Sequence, residues 1–474
     1  AQIYAEGTAD NPIIFTAEVD DTNDANDMFP EDRGLWGGLI ILGNGILGDN
    51  TSEVGVEGIP AGETRALYGG NDDTDNSGVL RYVSIRHGGA ELSPGDEING
   101  LTLGGVGSGT VFEYIEIFAN SDDGIEFFGG QPSIKWACVS FCGDDSYDWD
   151  TGFRGKGQFW FSLQGADDGD NGAEMDGAKP DDNARFAQPT IYNATYIGSG
   201  IGAAAKNEHA LLFRDGTGGY YNNSIFTSFV GKAIQVEDLA TGLDSRQRLE
   251  NGELALNNNI WWEFGAGTSL TDIINPTTAG GDVSWLISHL GNNGNTLEDP
   301  QLGGISRDTD ESLDPRPASN GPAFNALNSY DDAWFTPVYY KGAFCSQGVW
   351  IKGWTAISEY GILDSAVPAA PGACQTTSTD DFFKESNGFI LAQNAPNPAV
   401  NQTTISFSTP STANVSLVVM NAYGQVVKTV LDNTKLTAGD YNEVVNTTDM
   451  PAGIYFYSLR AENVVLTKSF MIQK

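Results

Sequence analysis

Short stretches in which apolar and polar residues alternate recur along the first part of the chain, with a period of about 22 to 24 residues. Three of them lie at 79–85, 111–117 and 134–140. Alternation with a period of two is the pattern of a β-strand that buries one of its faces. Each stretch is followed by a turn and a second short stretch, so the pattern predicts paired strands rather than helices.

The second stretches lie at 100–103, 124–127 and 146–149. Short strands that return at a fixed period are typical of a solenoid. The predicted fold class is therefore all-β: a right-handed parallel β-helix followed by a small C-terminal β-sandwich. Equivalent positions of successive coils should stack about 4.8 Å apart. Two internal stacks and one external stack are predicted: Leu101, Ile125 and Tyr147; Leu103, Phe127 and Trp149; and, outside, Thr102, Glu126 and Asp148.

The same pattern returns elsewhere and predicts further coils at 13–15, 39–42, 190–198 and 220–236. Three stretches interrupt the period. We predict that they are loops inserted on the outside of the helix: 165–187, 237–259 with a short helix at 244–256, and 265–304.

A sharp change in composition marks a domain boundary near the C-terminus. Residues 391–474 contain five basic and five acidic residues, whereas all ten Trp, all four Cys and the whole acidic excess lie upstream. A segment rich in Pro, Ala, Ser and Thr, the composition of a linker, precedes the change. Six or seven short strands follow it. We therefore predict a β-helix body over 1–366, a linker over 367–389 and a β-sandwich over 390–474.

Five short motifs follow one another in the C-terminal segment: Asn394-Ala395-Pro396-Asn397-Pro398, Tyr423-Gly424, Leu436-Thr437-Ala438-Gly439, Met450-Pro451-Ala452-Gly453-Ile454-Tyr455 and Lys468-Ser469-Phe470. In this order they resemble the type A sorting domain read by the type IX secretion system of Bacteroidota. One departure lies at 441–446, where many members carry a Trp. The resemblance implies export across the outer membrane, contact with the type IX secretion machinery, and a final location that is secreted or on the outer cell surface.

Four stretches of the body, at 34–43, 122–130, 143–150 and 154–161, are similar to uncharacterised β-helix regions of secreted Bacteroidota proteins. This resemblance supports the fold and implies no particular activity. The chain begins in what looks like the middle of a coil, so we expect that upstream sequence has been removed.

The net charge of −39 excludes some partners and favours others. Such a chain repels nucleic-acid phosphates and anionic membranes. No apolar run approaches the about 18 residues of a membrane-spanning helix, so neither nucleic acid binding nor membrane insertion is expected. Crowded carboxylates suit a multivalent cation. Solubility through net charge is the simpler explanation of the same composition.

The most informative cluster is a repeated aspartate turn. Asp122-Asp123 and Asp144-Asp145 are separated by one coil and should stack. Stacked carboxylates need a cation, an arginine or a raised pKa. Three interpretations stay open: Ca²⁺ binding, capping of turn N–H groups, and catalysis. The predicted metal ligands here are Asp122, Asp123, Glu126, Asp144, Asp145, Asp148 and Asp150.

Three further acidic loops could also bind calcium or could simply be solvated. The loop at 71–77 offers alternate oxygens and adds Asp73 and Asp75 to the predicted ligands, although it lacks the Gly and the distant Glu of an EF-hand. The loops at 20–27 and 167–176 are looser versions of the same composition.

A carbohydrate-active enzyme is the alternative function. Glu126 and Asp148, one coil apart, would match the carboxylate pair of a retaining glycosidase. Five Trp residues could stack on sugars: Trp136, Trp149, Trp160, Trp261 and Trp262. A lyase acting on polyuronate also needs basic groups, and the body offers few. Fold alone is weak evidence of function.

The four cysteines predict one disulfide. Cys345 and Cys374 flank the end of the body and are the expected pair. Cys138 and Cys142 lie in one extended run and are too far apart to bridge there, and Cys138 is predicted to be a core residue.

The sequence therefore predicts an exported structural or adhesive β-helix that carries calcium. Surface glycans and further copies of the chain are its expected partners. A helix that begins in the middle of a coil presents an unpaired strand edge, which would allow head-to-tail stacking into filaments. The alternative is a polysaccharide lyase or glycoside hydrolase built on the same helix.

Overall fold

The computed structural model describes residues 2–473 except 50–51, 61, 93–94, 96, 279, 331, 371, 373–388, 392–393, 395–396, 422–424 and 462–463. The chain divides into two compact units, Ala1–Cys374 and Gln375–Lys474. Most of the linker predicted at 367–389 lies outside the described residues. Within the described residues, no helix is long and apolar enough to cross a membrane.

The first unit is built mainly from short strands. In chain order they are β1 (Ile3–Glu6), β2 (Ile13–Phe15), β3 (Leu39–Leu42), β4 (Val54–Gly55), β5 (Leu67–Tyr68), β6 (Gly78–Arg86), β7 (Leu101–Gly104), β8 (Val111–Phe118), β9 (Ile125–Phe128), β10 (Ser133–Ser140), β11 (Tyr147–Asp150), β12 (Lys156–Leu163), β13 (Ala173–Met175), β14 (Thr190–Tyr192), β15 (Thr195–Ile197), β16 (His209–Phe213), β17 (Gly219–Asn222), β18 (Ile225–Phe229), β19 (Lys232–Val236), β20 (Leu254–Asn257), β21 (Ile260–Phe264), β22 (Ile274–Asn275), β23 (Thr296–Leu297), β24 (Leu302–Gly304) and β25 (Asp314–Pro317). Four helices accompany them: α1 (Ser245–Glu250), α2 (Leu270–Ile273), α3 (Ser284–Asn292) and α4 (Ala356–Glu359).

Two long parallel sheets form a right-handed β-helix, as predicted. Sheet A has 13 strands and sheet B has eight. Sheet A contains β1, β2, β6, β8, β10, β12, β14, β15, β17, β18, β20, β21 and β23, and sheet B contains β3, β7, β9, β11, β13, β16, β19 and β22. The chain alternates between the two sheets, so each coil stacks on the one before it.

The register confirms the predicted stacks. Leu101 pairs with Ile125 and Ile125 with Tyr147, and all three are buried inside. The outward stack and the second internal stack are also in register, one and two residues further along the same strands, respectively. A parallel sheet whose inner face is a continuous apolar stack gains its stability from this burial.

Sheet A bends at one residue in each of seven coils. The bend residues have φ between 48° and 60°: Tyr82, Tyr114, Trp136, Phe159, Asn193, Asn223 and Asn258. Asn adopts this left-handed conformation readily, whereas aromatic residues do so at a cost of about 1 kcal/mol or more. Stacking of the aromatic rings compensates, since neighbouring ring centroids lie 4.2, 4.4 and 5.8 Å apart. The bend divides sheet A into two parts, which enclose the core together with sheet B.

The three predicted insertions are partly wrong, because each contains strands of the helix. Strand β13 lies within 165–187, β20 within 237–259, and β22 and β23 within 265–304. These strands are two to four residues long, too short to show an alternating pattern. The helix predicted at 244–256 is α1, which begins after the N-cap Asp244.

Residues 298–370, here called the strap, leave the coils and pack across the outside of sheet A. The prediction assigned 298–366 to the body, with 298–304 in an inserted loop, and 367–370 to the linker. The strap buries Phe344, Trp350 and Ile357 against outward-facing side chains of sheet A such as Phe118 and Phe161. Helix α4 belongs to the strap and is anchored by a buried carboxylate, since Ala356 N–H donates to both oxygens of Glu116 at 2.8 and 2.9 Å.

The cysteines differ in their oxidation state. Cys138 is fully buried as predicted, but it lies under the strap on the outer side of sheet A rather than inside the coils. Cys138 and Cys142 are free thiols, and Cys345 is disulfide-bonded. The partner predicted for Cys345, Cys374, lies outside the described residues, so the pairing stays a prediction.

The second unit is a small antiparallel β-sandwich. Its strands are β26 (Ile390–Leu391), β27 (Gln402–Thr409), β28 (Ala413–Asn421), β29 (Val426–Leu436), β30 (Gly439–Asn446), β31 (Gly453–Ala461) and β32 (Val464–Ile472). One sheet has the order β26-β27-β30 and the other β29-β28-β31-β32. The predicted C-terminal sandwich is confirmed.

Candidate functional site

The turns that lead from sheet A to sheet B carry stacked polar residues. Asp123 precedes β9, Asp145 precedes β11 and Asn171 precedes β13. The backbone N–H of Asp145 donates to Asp123 Oδ1 at 2.9 Å, and that of Asn171 donates to Asp145 Oδ1 at 2.5 Å. Each aspartate therefore caps the turn of the next coil, which is one of the three interpretations that the sequence left open. Gly124 is required beside Asp123, because a Cβ there would lie 2.2 Å from Val139.

Sheet B adds a second column of carboxylates beside the turns. Glu126 pairs in register with Asp148, and Asp148 pairs with Glu174. All three side chains point outward and are partly exposed. The two columns run side by side along the helix axis. We call the set the carboxylate ladder: Asp122, Asp123, Glu126, Asp144, Asp145, Asp148, Asp170 and Glu174.

Carboxylate oxygens of the ladder approach one another closely enough to share a cation. Four groups of three residues each offer oxygens that lie within 4.8 Å of one another. They are Asp122, Asp123 and Asp144; Asp123, Glu126 and Asp148; Asp144, Asp145 and Asp170; and Asp145, Asp148 and Glu174. Every ligand is a hard oxygen, the donor that Ca²⁺ and Mg²⁺ prefer.

Burial and mutual repulsion raise the pKa values of the ladder carboxyls. Burial is the largest cause, and neighbouring carboxylates add to it. The pKa values of four carboxyls lie well above their ordinary range: Asp123, Glu126, Asp145 and Asp148. The pKa of Asp122 rises to about 6 and that of Glu174 to about 7. Without a compensating cation, the ladder therefore holds protons close to neutral pH.

Basic side chains compensate only one end of the ladder. Lys206 pairs with Asp170, and Arg214 pairs with Glu174 and with Asp176. Among the described residues, no Lys, Arg or His forms an ion pair with the other six carboxylates of the ladder. That end of the ladder carries an excess of negative charge, which a bound metal ion would neutralise.

A buried amide with an unpartnered oxygen lies next to the uncompensated end. Asn99 occupies the turn one coil before Asp123 and is 6% exposed. Its Nδ2 donates to Glu126, so the amide lies against the group of Asp123, Glu126 and Asp148. Its Oδ1 is buried and has no hydrogen-bond partner within the described part of the chain. A buried oxygen without a donor beside three carboxylates fits a cation better than a proton network.

The other predicted metal ligands have different surroundings. Asp73 accepts the Ile46 N–H at 2.8 Å and faces Arg154 at 3.4 Å. Asp75 accepts from Asn44 and Ser77. Neither takes part in any of the four groups, and neither does Asp150, whose Oδ1 accepts the Thr151 N–H at 2.5 Å. The pKa of Asp150 is raised to about 6, mainly by burial.

The two looser loops, at 20–27 and 167–176, differ in what their carboxylates contact. In the first, Asp21 and Asp24 accept backbone N–H groups within the loop itself. The second contributes Asp170 and Glu174 to the ladder. The sequence treated it as an independent loop, although Asp170 and Glu174 repeat the spacing of Asp144 and Asp148. That repeated spacing was the signal that could have joined them.

The tryptophans predicted to stack on sugars lie mostly in the interior. Trp149, Trp160 and Trp261 are fully buried and cannot contact a ligand. Trp136 stacks between Tyr114 and Phe159 at the bend of sheet A. Trp262 alone of the five is clearly exposed, at 38%.

Comparison with known proteins gives two family matches. A family described as pectate-lyase-like beta helix domain matches residues 1–286. A family described as secretion system C-terminal sorting domain matches residues 395–473. No curated protein and no solved structure matches the chain.

Proposed function

Because the chain belongs to the family of pectate-lyase-like β-helix domains and ends in a type IX sorting domain, we propose that it is a calcium-braced structural or adhesive protein of the cell exterior. The sorting domain marks proteins that are exported to the outer cell surface or secreted, and it implies contact with the type IX secretion machinery. The proposal concerns what the exported β-helix does there.

The observation that carries the proposal is the uncompensated end of the carboxylate ladder. Six carboxylates from two successive coils lie together without a basic partner among the described residues. A calcium ion takes six to eight oxygen ligands at 2.3–2.6 Å. Three carboxylates, the Asn99 Oδ1 and water supply such a set. An ion held by two coils joins them directly and removes the repulsion between their carboxylates.

The pattern of shared residues limits the number of ions to two. Two calcium ions that shared one carboxylate would lie only a few ångströms apart, and their repulsion opposes this arrangement. Groups without a common residue can fill together, and only two such pairs exist among the four groups. One pair joins Asp123, Glu126 and Asp148 with Asp144, Asp145 and Asp170. We propose that this pair is filled, because Asn99 supports its first member.

The structure at the end of the helix favours calcium bracing over filament formation. Strand β20 ends one branch of sheet A, and its edge is already occupied. The Leu256 N–H donates to His289 Nε2 of α3 at 3.1 Å, and Asn295 Nδ2 donates to the Leu256 carbonyl at 2.7 Å. Covered edges do not pair with another chain. Head-to-tail stacking would have to displace α3, so the proposal keeps the structural or adhesive role and omits the filament.

Thermal unfolding of the full chain in calcium and in chelator tests the bracing. A ligand at 100 times its Kd stabilises the folded state by about 2.7 kcal/mol. We expect a higher Tm in millimolar calcium than in chelator. The double variant Asp123→Asn/Asp145→Asn keeps an acceptor for each turn N–H and removes both charges. It should fold and should not respond to calcium. A wild-type Tm that is equal in both buffers would refute the proposal.

A polysaccharide-active enzyme is the second candidate, and one observation favours it. Glu126 and Asp148 are register partners whose oxygens lie within 4.8 Å, close to the about 5 Å of a retaining pair. A glycan array incubated with calcium separates the two functions. Binding without cleavage supports adhesion to surface glycans. Cleavage that Glu126→Gln lowers by about 100-fold or more, with an unchanged Tm, would establish the enzyme instead.

A further inference from the structure

The two sheets of the C-terminal sandwich present different outer faces. On β27, the outward positions of the three-stranded sheet are polar: Gln402, Thr404, Ser406 and Ser408. On the four-stranded sheet, the outward positions at one end are apolar. We call these the apolar patch: Met420, Val426, Ile454, Phe456 and Met471.

Strand register makes the apolar patch continuous. Met420 on β28 lies opposite Val426 on one side and Phe456 on the other. Ile454, two residues before Phe456 on the same face of β31, lies opposite Met471 on β32. Val426, Ile454 and Met471 are 55%, 54% and 46% exposed. Contiguous exposed apolar side chains on a folded domain mark a protein contact surface.

The fold does not need the outward apolar residues. The side chains that build the core of β31 and β32 alternate with them and include Tyr455, Tyr457 and Phe470. Tyr455 and Phe470 belong to the sequence motifs of the sorting domain and are explained by this core. Ile454 and Met471 occupy the positions beside them and point away from it. The core of the domain therefore does not explain their apolar character.

Net charge gives this domain little means of recognition. Residues 391–474 carry five acidic and five basic side chains, although the whole chain has a net charge of −39. A receptor that selected cargo by charge would be attracted or repelled by the body rather than by the tail. The sorting domain is nevertheless the part that the secretion machinery reads. The apolar patch offers the sandwich an apolar contact as a means of recognition.

We propose that the apolar patch is the surface through which the folded sorting domain docks on an apolar surface of the type IX secretion machinery. The docking inserts Ile454 and Met471 into the partner, with Phe456 and Met420 behind them. Polar residues such as Ser469 and Thr467 form the rim. This assignment is independent of calcium binding by the body.

Export of the full chain in a bacterium with a type IX system tests the assignment. Thr is β-branched and compatible with a strand. The variant Ile454→Thr/Met471→Thr therefore preserves the strands and removes the central apolar contacts. We expect the amount on the cell surface and in the medium to fall about tenfold or more, with accumulation in the periplasm. The matched control is Val444→Thr, which changes a residue 60% exposed on the other sheet and should be exported like the wild type.

Folding and self-association are checked on the purified full chains. If the double variant has a lower Tm, Val426→Thr at the edge strand replaces it, since that residue lies outside the core. Normal export of folded variants overturns the assignment. It is also overturned if the double variant abolishes a dimer seen by light scattering while export stays normal, because the patch would then serve a second copy of the chain.

Discussion

At the residue scale, the aspartates of the turns have a geometry that can combine two roles at a single sequence position. One oxygen of Asp123 and of Asp145 caps the next turn. The carboxylates also belong to the groups of oxygens that lie within 4.8 Å of one another. Calcium binding and turn capping, which the sequence posed as alternatives, are therefore compatible in geometry.

Substitution of Asp148 separates the effect of charge from that of shape. Asp148→Asn removes one charge from the ladder and keeps its volume. In chelator the variant should unfold at an equal or higher temperature than the wild type, because it relieves the repulsion of Asp148 with Glu126 and with Glu174. In calcium it should gain less stability than the wild type. Thermal unfolding in both buffers measures the two effects.

The control for this variant is Asp10→Asn, which changes an exposed carboxylate outside the ladder. It should shift neither value by more than about 0.5 kcal/mol. A calcium response of Asp148→Asn that equals that of the wild type would contradict the role given to the ladder.

The ladder could be predicted from sequence only in part. Asp122, Asp123, Asp144 and Asp145 were found because one regular coil separates the two pairs. Asp170 and Glu174 were missed because the chain after β12 makes a longer excursion before β13, which breaks the period. Asn99 could not be found, since an amide at a turn has no distinctive pattern, and its unpartnered Oδ1 is a property of packing alone.

At the element scale, the strap is held by a buried network that sequence could not reveal. Glu116 and Arg86 occupy outward positions of β8 and β6, which usually face solvent, but the strap covers them completely. Burial raises the pKa of Glu116 and Arg86 opposes this effect. Arg86 in turn pairs with Glu359 of α4 at 2.8 Å. The network fixes the strap to the helix at one point.

Glu116→Gln should weaken this attachment. Removing one partner leaves Arg86 buried with less compensation, and such changes cost about 3 kcal/mol. The free energy of unfolding, measured by denaturant titration, should fall by about that amount. Glu113→Gln is the matched control on the same strand. Its 2.8 Å pair with Arg81 is partly exposed, so the loss should stay below about 1 kcal/mol. Equal losses in the two variants would contradict the anchoring role.

The attachment of α3 to β20 should depend on pH. Burial lowers the pKa of His289, whose neutral Nε2 accepts the Leu256 N–H. A folded-state pKa below the unfolded value of about 6.5 gives a contribution that is present above pH 6.5. It is lost as the pH falls through the folded pKa. Its size should not exceed about 1 kcal/mol, the net value of one hydrogen bond.

His289→Gln tests this pH dependence, since an amide oxygen can accept the same N–H and does not titrate. The unfolding free energy of the variant should decline less than that of the wild type between pH 7.5 and 5.5, with calcium present in both series. His87 and His209 are present in both proteins, so their contributions to the pH dependence cancel in the comparison. Identical slopes would show that His289 does not link α3 to the helix.

Sequence periodicity predicted the elements well wherever a coil was regular. The strands β6 to β11 lie where alternation placed them, because an outward polar residue and an inward apolar one are both required there. Strand β13 and the pair β22 and β23 escaped because so few residues contribute to each. The bend of sheet A was not predicted for another reason. Its Tyr and Trp residues adopt a left-handed conformation because their rings stack between coils, and no local sequence pattern encodes this stacking.

At the scale of the whole molecule, the charge is concentrated where it has a structural consequence. The acidic excess lies in the first unit, and the ladder places eight carboxylates on consecutive coils. Export takes the chain to the cell exterior, where calcium in the millimolar range can fill sites of moderate affinity. We propose that repulsion between the ladder carboxylates weakens the helix before export. Calcium at the cell exterior then removes this repulsion and makes the helix rigid.

The number of calcium ions bound per chain, counted by native mass spectrometry, tests this account most directly. The wild type should bind two. Asp145→Asn removes a residue shared by two of the four groups and should bind one, because the remaining two groups both need Asp123. Asp170→Asn removes an unshared residue and should still bind two. A wild type that binds no calcium, or the same count in all three proteins, would contradict the account.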